Sequence, residues 1–525
     1  MLLLEAHDIK HYIGDRLLLD VKQLNIYEND RIGLIGKNGS GKTTLLNILA
    51  GKTRPGEGHV IRHSRCELLP QLKRTDPEKS GGEITQQYIL DVMAKNPELI
   101  FADEPTTHLD TNHIEWLEKL LRERPGAFVV VSHDRAFLDA LCTTIWELDD
   151  GKVTVYPGNY SAYADQKELE RKEQTKAYEQ YVKKKKQLEE ALWKKKEKAE
   201  RAVKKPKKVS PSEAKITGAK PYFAKKQKKL QKTAKAIQTR IEKLEKVEKV
   251  KELPPVKMDL PNEETIKNRI IIRVEDVEGV IGSRRLWKKT SFQIRGGDKV
   301  AVTGANGSGK TTFINMIVNG AEGITVSPAV KIGYFHQHLQ IIDPDKTILE
   351  NVKSSSKHDE TLIRTVLARM HFYRDDVFKP AGVLSGGEQV KVALAKIFLS
   401  NINTLVLDEP TNFLDIEAVE ALESLLKEYQ GTVLFISHDR RFIKNVATKI
   451  IEIRDGKMHF FPGTAEEYEE AKKREAKDNR EERLMVLEMK ITDVLSRLSI
   501  EPSEELEAEF QKLLKEKRRL MEKTE

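Results

Sequence analysis

One eight-residue pattern occurs twice in this chain and constrains its fold more than any other feature. Gly36-Lys37-Asn38-Gly39-Ser40-Gly41-Lys42-Thr43 recurs as Gly304-Ala305-Asn306-Gly307-Ser308-Gly309-Lys310-Thr311. Each copy follows a short apolar run, Ile32 to Ile35 and Val300 to Val302. Each leads into another, Thr44 to Leu49 and Thr312 to Ile317. That reads as strand, loop, helix, the setting in which such a loop holds phosphate. Its glycines let successive N–H groups turn inward, and the helix N-terminus adds partial positive charge. Lys42 and Lys310 are then expected to reach the β- and γ-phosphates, with the Thr43 and Thr311 hydroxyls on Mg²⁺.

Further motifs repeat in the same order. Leu99-Ile100-Phe101-Ala102-Asp103-Glu104-Pro105-Thr106 returns as Leu405-Val406-Leu407-Asp408-Glu409-Pro410-Thr411. An apolar strand ending in two acids sets one beside a metal and one beside an attacking water. Ser132-His133-Asp134-Arg135 returns as Ser437-His438-Asp439-Arg440, and the first acid precedes the histidine by 30 residues in both halves. Ser80-Gly81-Gly82-Glu83 returns as Ser385-Gly386-Gly387-Glu388, each opening a helical stretch and offering a second anion nest.

Composition narrows the class. The 525 residues suffice for two or three domains, and no apolar run approaches the roughly 18 residues that cross a bilayer. The first ten residues meet Glu5 and Asp8 too early for a signal peptide. The two cysteines, Cys66 and Cys142, suit a reducing compartment rather than a disulfide framework. The expectation is a cytoplasmic protein. The net charge of +9 is uneven: residues 161–260 hold 31 basic and 15 acidic side chains, a net of +16, which leaves −7 for the rest. A basic segment on an acidic body suggests a polyanion docked at one place. A solvated charged helix is the plainer reading of such a run.

The order of phosphate loop, glutamine loop, SGGE signature, Asp-Glu pair and His switch resembles that of ABC-type ATPase domains. Two of them joined by a long basic linker resemble the ABC-F family, in particular its antibiotic-resistance subgroup of the Vga type. The resemblance implies an α/β fold: two tandem ABC-type nucleotide-binding domains, an antiparallel coiled-coil linker and a C-terminal helical extension. The boundaries expected are 1–160 and 270–464 for the ATPase domains, 161–252 for the linker with its tip at 204–222, 253–269 for a connector and 465–525 for the extension. It further implies ATP and Mg²⁺ as ligands and intramolecular head-to-tail pairing in a monomer. The first site would combine Lys42, Thr43, Gln71, Asp103, Glu104 and His133 with Ser385, Gly386 and Gly387. The second would combine Lys310, Thr311, Gln337, Asp408, Glu409 and His438 with Ser80, Gly81 and Gly82. The metal would fall to Thr43, Gln71 and Asp103, and to Thr311, Gln337 and Asp408. The glutamates would polarise water, and the histidines would meet the γ-phosphate.

Two departures from the family pattern stand out. Gln71 and Ser80 are 9 residues apart, whereas Gln337 and Ser385 are 48 apart, so the first half is expected to lack most of a helical subdomain. Tyr12, two residues before Gly14, is expected to stack on the adenine of the first site. Val280 holds the corresponding place in the second.

In the linker, Tyr178, Tyr181, Leu188, Leu192, Ala199 and Ala202 fall on heptad a/d positions, interrupted by Lys185 and Lys195. Phe223, Leu230, Ala234, Ile237, Ile241 and Leu244 follow in a second run. Pro206, Pro211, Gly218 and Pro221 break the helix between them. The family resemblance would bring this hairpin into the bacterial 70S ribosome from the exit tRNA site, toward the peptidyl-transferase centre and the P-site tRNA. Lys204, Lys205, Lys207, Lys208, Ser212, Lys215, Lys220, Lys225 and Lys226 would meet RNA there, with Tyr222 and Phe223 stacking on bases or packing across the tip. Beyond Thr464, Leu495 and Leu498 are expected to face Leu506, Phe510, Leu513 and Leu514, in a second hairpin or a solvated tail. The function implied is ribosome protection against lincosamides, pleuromutilins and streptogramin A, with hydrolysis driving release. The alternatives weighed are a housekeeping translation factor, the motor of a drug exporter and a chromosome-maintenance ATPase.

Overall fold

The computed structural model describes all residues except 71–80, 108, 202–218, 245, 248–265, 336–340, 413, 501–502 and 523–525, and a few helix side chains. The two halves are built alike. In the first, β1 (Leu2–Ile13), β2 (Arg16–Tyr27) and β4 (Glu57–Arg62) form an antiparallel sheet in the order β2-β1-β4. Beside it lies a six-stranded sheet, ordered β5-β6-β7-β3-β8-β9. Its strands are β3 (Arg31–Ile35), β5 (Cys66–Leu69), β6 (Leu99–Asp103), β7 (Ala127–Val131), β8 (Thr144–Asp149) and β9 (Lys152–Pro157). The second half repeats both sheets. β10 (Ile270–Ile281), β11 (Arg284–Arg295) and β13 (Ile324–Val326) make the small one. β12 (Lys299–Gly304), β14 (Ile332–Phe335), β15 (Thr404–Asp408), β16 (Thr432–Ile436), β17 (Lys449–Arg454) and β18 (Lys457–Phe461) make the large one, ordered β14-β15-β16-β12-β17-β18.

The central strands read as continuous apolar runs because both faces of a parallel sheet are covered. All five residues of β6, β7, β15 and β16 are buried. Parallel pairing of β3 with β7 and of β12 with β16 sets the strand that precedes each phosphate loop beside the strand that precedes each Ser-His-Asp-Arg motif. β6 and β15, which end in the paired acids, lie one strand further out. All three motifs therefore leave the same edge of the sheet, where the fold places its ligands.

The halves differ between β5 and β6 and between β14 and β15. Among described residues the first interval carries one helix, Gly81–Ala94. The second carries helices Ile348–Lys353, Glu360–Arg369 and Gly386–Phe398 with short 3-10 turns. Their apolar faces, including Ile348, Ile363 and Leu367, and the Met370 and Phe372 side chains that follow the second helix extend the core of the second half.

Residues 157–254 form a separate compact unit. It is a long helical insertion whose helices, Tyr160–Arg201 and Ala219–Glu242, pack against one another. The 42 residues of the first span about 63 Å. Its less exposed positions include 178, 181, 185, 188, 192, 195 and 199, a three-four alternation that keeps Lys185 and Lys195 within the seam. Their aliphatic stems cover apolar surface while the ammonium heads reach water. The tip residues 204–218 lie outside the described residues.

At the C-terminal end, helices Ala465–Ile500 and Glu504–Glu522 pack together, with Lys517 Nζ donating to Glu488 at 2.7 Å. The first is fastened to β17 where the Tyr468 hydroxyl and Lys472 donate to Glu452 at 2.7 and 2.9 Å. Leu487 and Val494 are buried, while Leu495 is 45% exposed, so the expected inward role of Leu495 is corrected. One residue of helix turns a side chain by about 100°, and the buried positions seven apart belong to the neighbouring stripe.

Phe101, on β6, is fully buried. Replacing it with alanine is expected to cost about 3–5 kcal/mol. The check is a lowered first thermal transition at unchanged helix content by circular dichroism.

Candidate active site

Each phosphate loop is shaped by glycines that other residues could not replace. Gly36 and Gly304 have φ of 151° and 142°, and a Cβ on either would come within 2.4 or 2.5 Å of the carbonyl oxygen of Leu148 or Ile453. Helices Lys42–Leu49 and Lys310–Val318 begin immediately after the loops. Lys42 Nζ donates to the Gly36 and Lys37 carbonyls at 2.7 and 2.9 Å. Lys310 Nζ makes the matching bonds to Gly304 and Ala305 at 2.8 and 3.1 Å. Burial lowers the pKa of both ammonium groups, and the nearby carboxylates oppose that shift.

Asp408 accepts from the Thr311 hydroxyl at 3.1 Å. A Thr43 bond likewise favours the charged form of Asp103, whose pKa burial raises. One carboxylate and one hydroxyl at each site are hard oxygen donors, and they fit Mg²⁺, which keeps most of its shell for water and phosphate. Among the described residues no cluster of three His, Cys, Asp or Glu could hold a metal by itself.

The next residues, Glu104 and Glu409, adopt φ of 50° and 49°. This left-handed conformation is uncommon for glutamate and marks a constrained position. The Glu104 carboxylate accepts from the His133 N–H at 3.3 Å and lies 3.3 Å from His133 Nε2. Glu409 lies 3.4 Å from His438 Nε2. Burial pushes Glu104 up to about 8 and Glu409 up to about 7, with Lys42 and Lys310 pulling the other way. The same burial, helped by the lysines, pushes both histidines down to about 3, so each imidazole is neutral.

Ser385 caps the helix Gly386–Phe398 through a reciprocal box with Glu388, and space beside Gly386 is open. In the first half, Gly81 and Gly82 begin the helix Gly81–Ala94. Gln71, Ser80 and Gln337 lie outside the described residues. A single cleft of about 1400 Å³ is lined by Lys42, Thr43, Glu104 and His133, by Lys310, Thr311, Glu409 and His438, and by Ser385 and Gly387.

The halves are joined through two aspartates that lie outside the repeated motifs. Asp415 accepts from the Asn38 N–H at 3.1 Å, and Asp110 accepts from the Asn306 N–H at 2.8 Å. Each aspartate also caps a helix of its own half, Ile416–Glu428 or Thr111–Glu123. Eight residues further along these bridging helices, Glu423 and Glu118 meet Arg135 and Arg440 of the opposite half. Those arginines are the last residues of the Ser-His-Asp-Arg motifs. The available signal was the Leu-Asp pair at 109–110 and 414–415, with a glutamate eight residues on in both halves.

At the base end, side chains of β1, β2, β10 and β11 border the cleft. Ile13, Arg16 and Leu18 line the first site, and Ile281 and Leu286 line the second. Tyr12 is 45% exposed, and its ring sits near Gly56. The register of β1 on β2 shifts between His11 and Tyr12. Val280 is likewise exposed.

Ile13→Asp should weaken the first site about tenfold or more by placing a charge against the base. Equilibrium titration with a fluorescent ATP analogue checks this. Arg135→Leu should cost about 3–5 kcal/mol because Glu423 and Asp439 stay buried without its charge. The check is a lower denaturant midpoint.

A family model described as ABC transporter matches residues 19–74 and 287–412, and a second of the same description matches 146–260. The chain is 34% identical to the erythromycin resistance ATP-binding protein MsrA of Staphylococcus epidermidis over 484 residues, covering 87% of this chain and 98% of that protein. It is 30% identical to the ribosome protection protein VmlR of Bacillus subtilis (strain 168) over 523 residues, covering 94% and 92%. It is 28% identical to the ATP-binding protein Uup of Escherichia coli (strain K12), covering 86% and 80%. Among solved structures, the archaeal ribosome recycling factor aABCE1, in complex with the stalk protein aP1, superposes with a TM-score of 0.57 at 18% identity, over 87% of this chain and 90% of that one. That likeness carries the tandem fold, and the sequence relatives carry the family. With both nucleotide-binding sheets, the helical insertion and their order in place, the chain belongs to the ABC-F family of tandem ABC ATPases.

Proposed function

We propose that this ATPase protects the bacterial ribosome from antibiotics, with its basic insertion as the part that enters. The observation that carries the reading is the match to a ribosome protection protein over 94% of the chain. A net of +16 on residues 161–260 supplies the charge that ribosomal and transfer RNA phosphates attract. The 63 Å helix supplies the reach. In this reading the tip, with Lys204, Lys205, Lys207, Lys208, Lys225 and Lys226 around it, approaches the peptidyl-transferase centre and the P-site tRNA from the exit site. The drugs displaced are lincosamides, pleuromutilins and streptogramin A.

The chemistry is phosphoryl transfer by positioning and charge neutralisation. Lys42 and Lys310 hold the β- and γ-phosphates. Thr43 with Asp103, and Thr311 with Asp408, hold Mg²⁺, which neutralises phosphate charge when bound. Glu104 and Glu409 orient the attacking water, and neutral His133 and His438 meet the γ-phosphate. Ser385 and its two glycines close over the first site from the opposite half, and Ser80, Gly81 and Gly82 close over the second. Closure stabilises the ribosome-bound state, and hydrolysis releases it.

A housekeeping translation role is the second reading, favoured by the 28% identity to Uup, whose name records ATP binding alone. Susceptibility of a strain lacking the protein separates the two: unchanged inhibitory concentrations for all three drug classes favour housekeeping.

Glu104→Gln with Glu409→Gln should keep ATP binding while lowering hydrolysis about a hundredfold or more. That variant is expected to co-sediment with 70S ribosomes when ATP is present and to be lost as salt rises. ATP binding without ribosome retention would overturn the proposed role.

A further inference from the structure

The two sites differ in what holds the aspartate that crosses between the halves. At the first, Lys391 Nζ lies 3.3 and 3.2 Å from Asp415 Oδ1 and Oδ2, and both side chains are almost fully buried. Lys391 stands on the signature helix Gly386–Phe398. Asp415 Oδ2 in turn accepts from the Asn38 N–H in the phosphate loop of the other half. Helix, carboxylate and loop thus form one continuous line of charge-assisted bonds.

At the second site, Asp110 accepts from the Asn306 N–H in the same way, but its other partner is His113, whose Nδ1 lies 2.7 Å away on the same bridging helix. The register of Lys391, six residues after the signature serine, is held in the first half by Gln86, which carries no charge. A second difference runs parallel. Lys37 lies 3.8 Å from Glu417, while Ala305 and Asn112 hold those registers at the other site. That pair is about half exposed and contributes little, so the buried pair carries the asymmetry.

We propose that Lys391 is a positioning residue for the first ATP site alone: through Asp415 it ties the second half's signature helix to the first half's phosphate loop, a tie with no counterpart at the second site among the described residues. A displacement of that helix then reaches the first loop through a short, dehydrated ion pair. At the second site, loop and signature helix are coupled through the nucleotide. Hydrolysis at the first site consequently depends on Lys391, and hydrolysis at the second does not. The proposal rests on the assignment of Glu104 and Glu409 to separate sites.

The test uses the full chain with one site silenced at a time. With Glu409→Gln leaving the first site active, Lys391→Gln is expected to lower kcat about tenfold while KM for ATP stays within about twofold, and Lys391→Arg is expected to recover most of the rate. With Glu104→Gln leaving the second site active, both substitutions should leave kcat within about twofold. A purely structural role would lower both backgrounds alike. Equal losses, a loss confined to the second site, a rise in KM alone, or no loss would overturn the proposal. If Lys391→Gln does not fold, Asp415→Asn is read in the same two backgrounds against the same expectations. Wild-type hydrolysis in the Glu104→Gln, Glu409→Gln double variant would instead refute the site assignment, and the proposal with it.

Discussion

Two backbone amides, those of Asn38 and Asn306, each donate to an aspartate that belongs to the other half of the chain, and the working geometry depends on that exchange. Asp415 and Asp110 cap their own helices with one oxygen and hold the opposite phosphate loop with the other. A hydrogen bond to a charged acceptor contributes about 1.5–3 kcal/mol. The same helices carry Glu423 and Glu118, which hold the arginines that end the opposite Ser-His-Asp-Arg motifs. Each bridging helix therefore grips two parts of one site, loop and switch, about 12 Å apart. Moving one half relative to the other moves both parts together.

That arrangement explains the electrostatics of the cleft. Burial between the halves raises the pKa of the glutamates and holds the histidines neutral. The lysines of the phosphate loops supply the opposing positive charge. A carboxyl poised near neutrality beside a neutral imidazole suits a group that must orient water without repelling a polyphosphate. Opening the halves would rehydrate these groups and return them toward their ordinary values.

Much of this was legible in the residues, and the failures have physical causes. The phosphate loops, acid pairs, switches and α/β architecture followed from local chemistry: glycines at strained φ, an apolar strand ending in two acids, a serine that caps a helix. The tandem ATPase family was legible from the order of those motifs. Asp110 and Asp415 were not singled out, because an aspartate before a helix reads as a cap, and its second partner lies roughly 200 or more residues away. Leu495 was assigned inward because spacing alone does not set the phase of a helix whose partner is unknown. The asymmetry at Lys391 was present in the sequence as a lysine aligned with Gln86. It acquires meaning only when the structure brings Asp415 and Asn38 together.

The exchange between halves is tested most directly by hydrogen exchange at the two phosphate loops, followed by mass spectrometry in Asp415→Ala and Asp110→Ala. The account requires a crossed pattern: Asp415→Ala loses protection at residues 36–41 while 304–309 stay protected, and Asp110→Ala does the reverse. Loss of protection in the loop of the mutated half, or in neither loop, would contradict it.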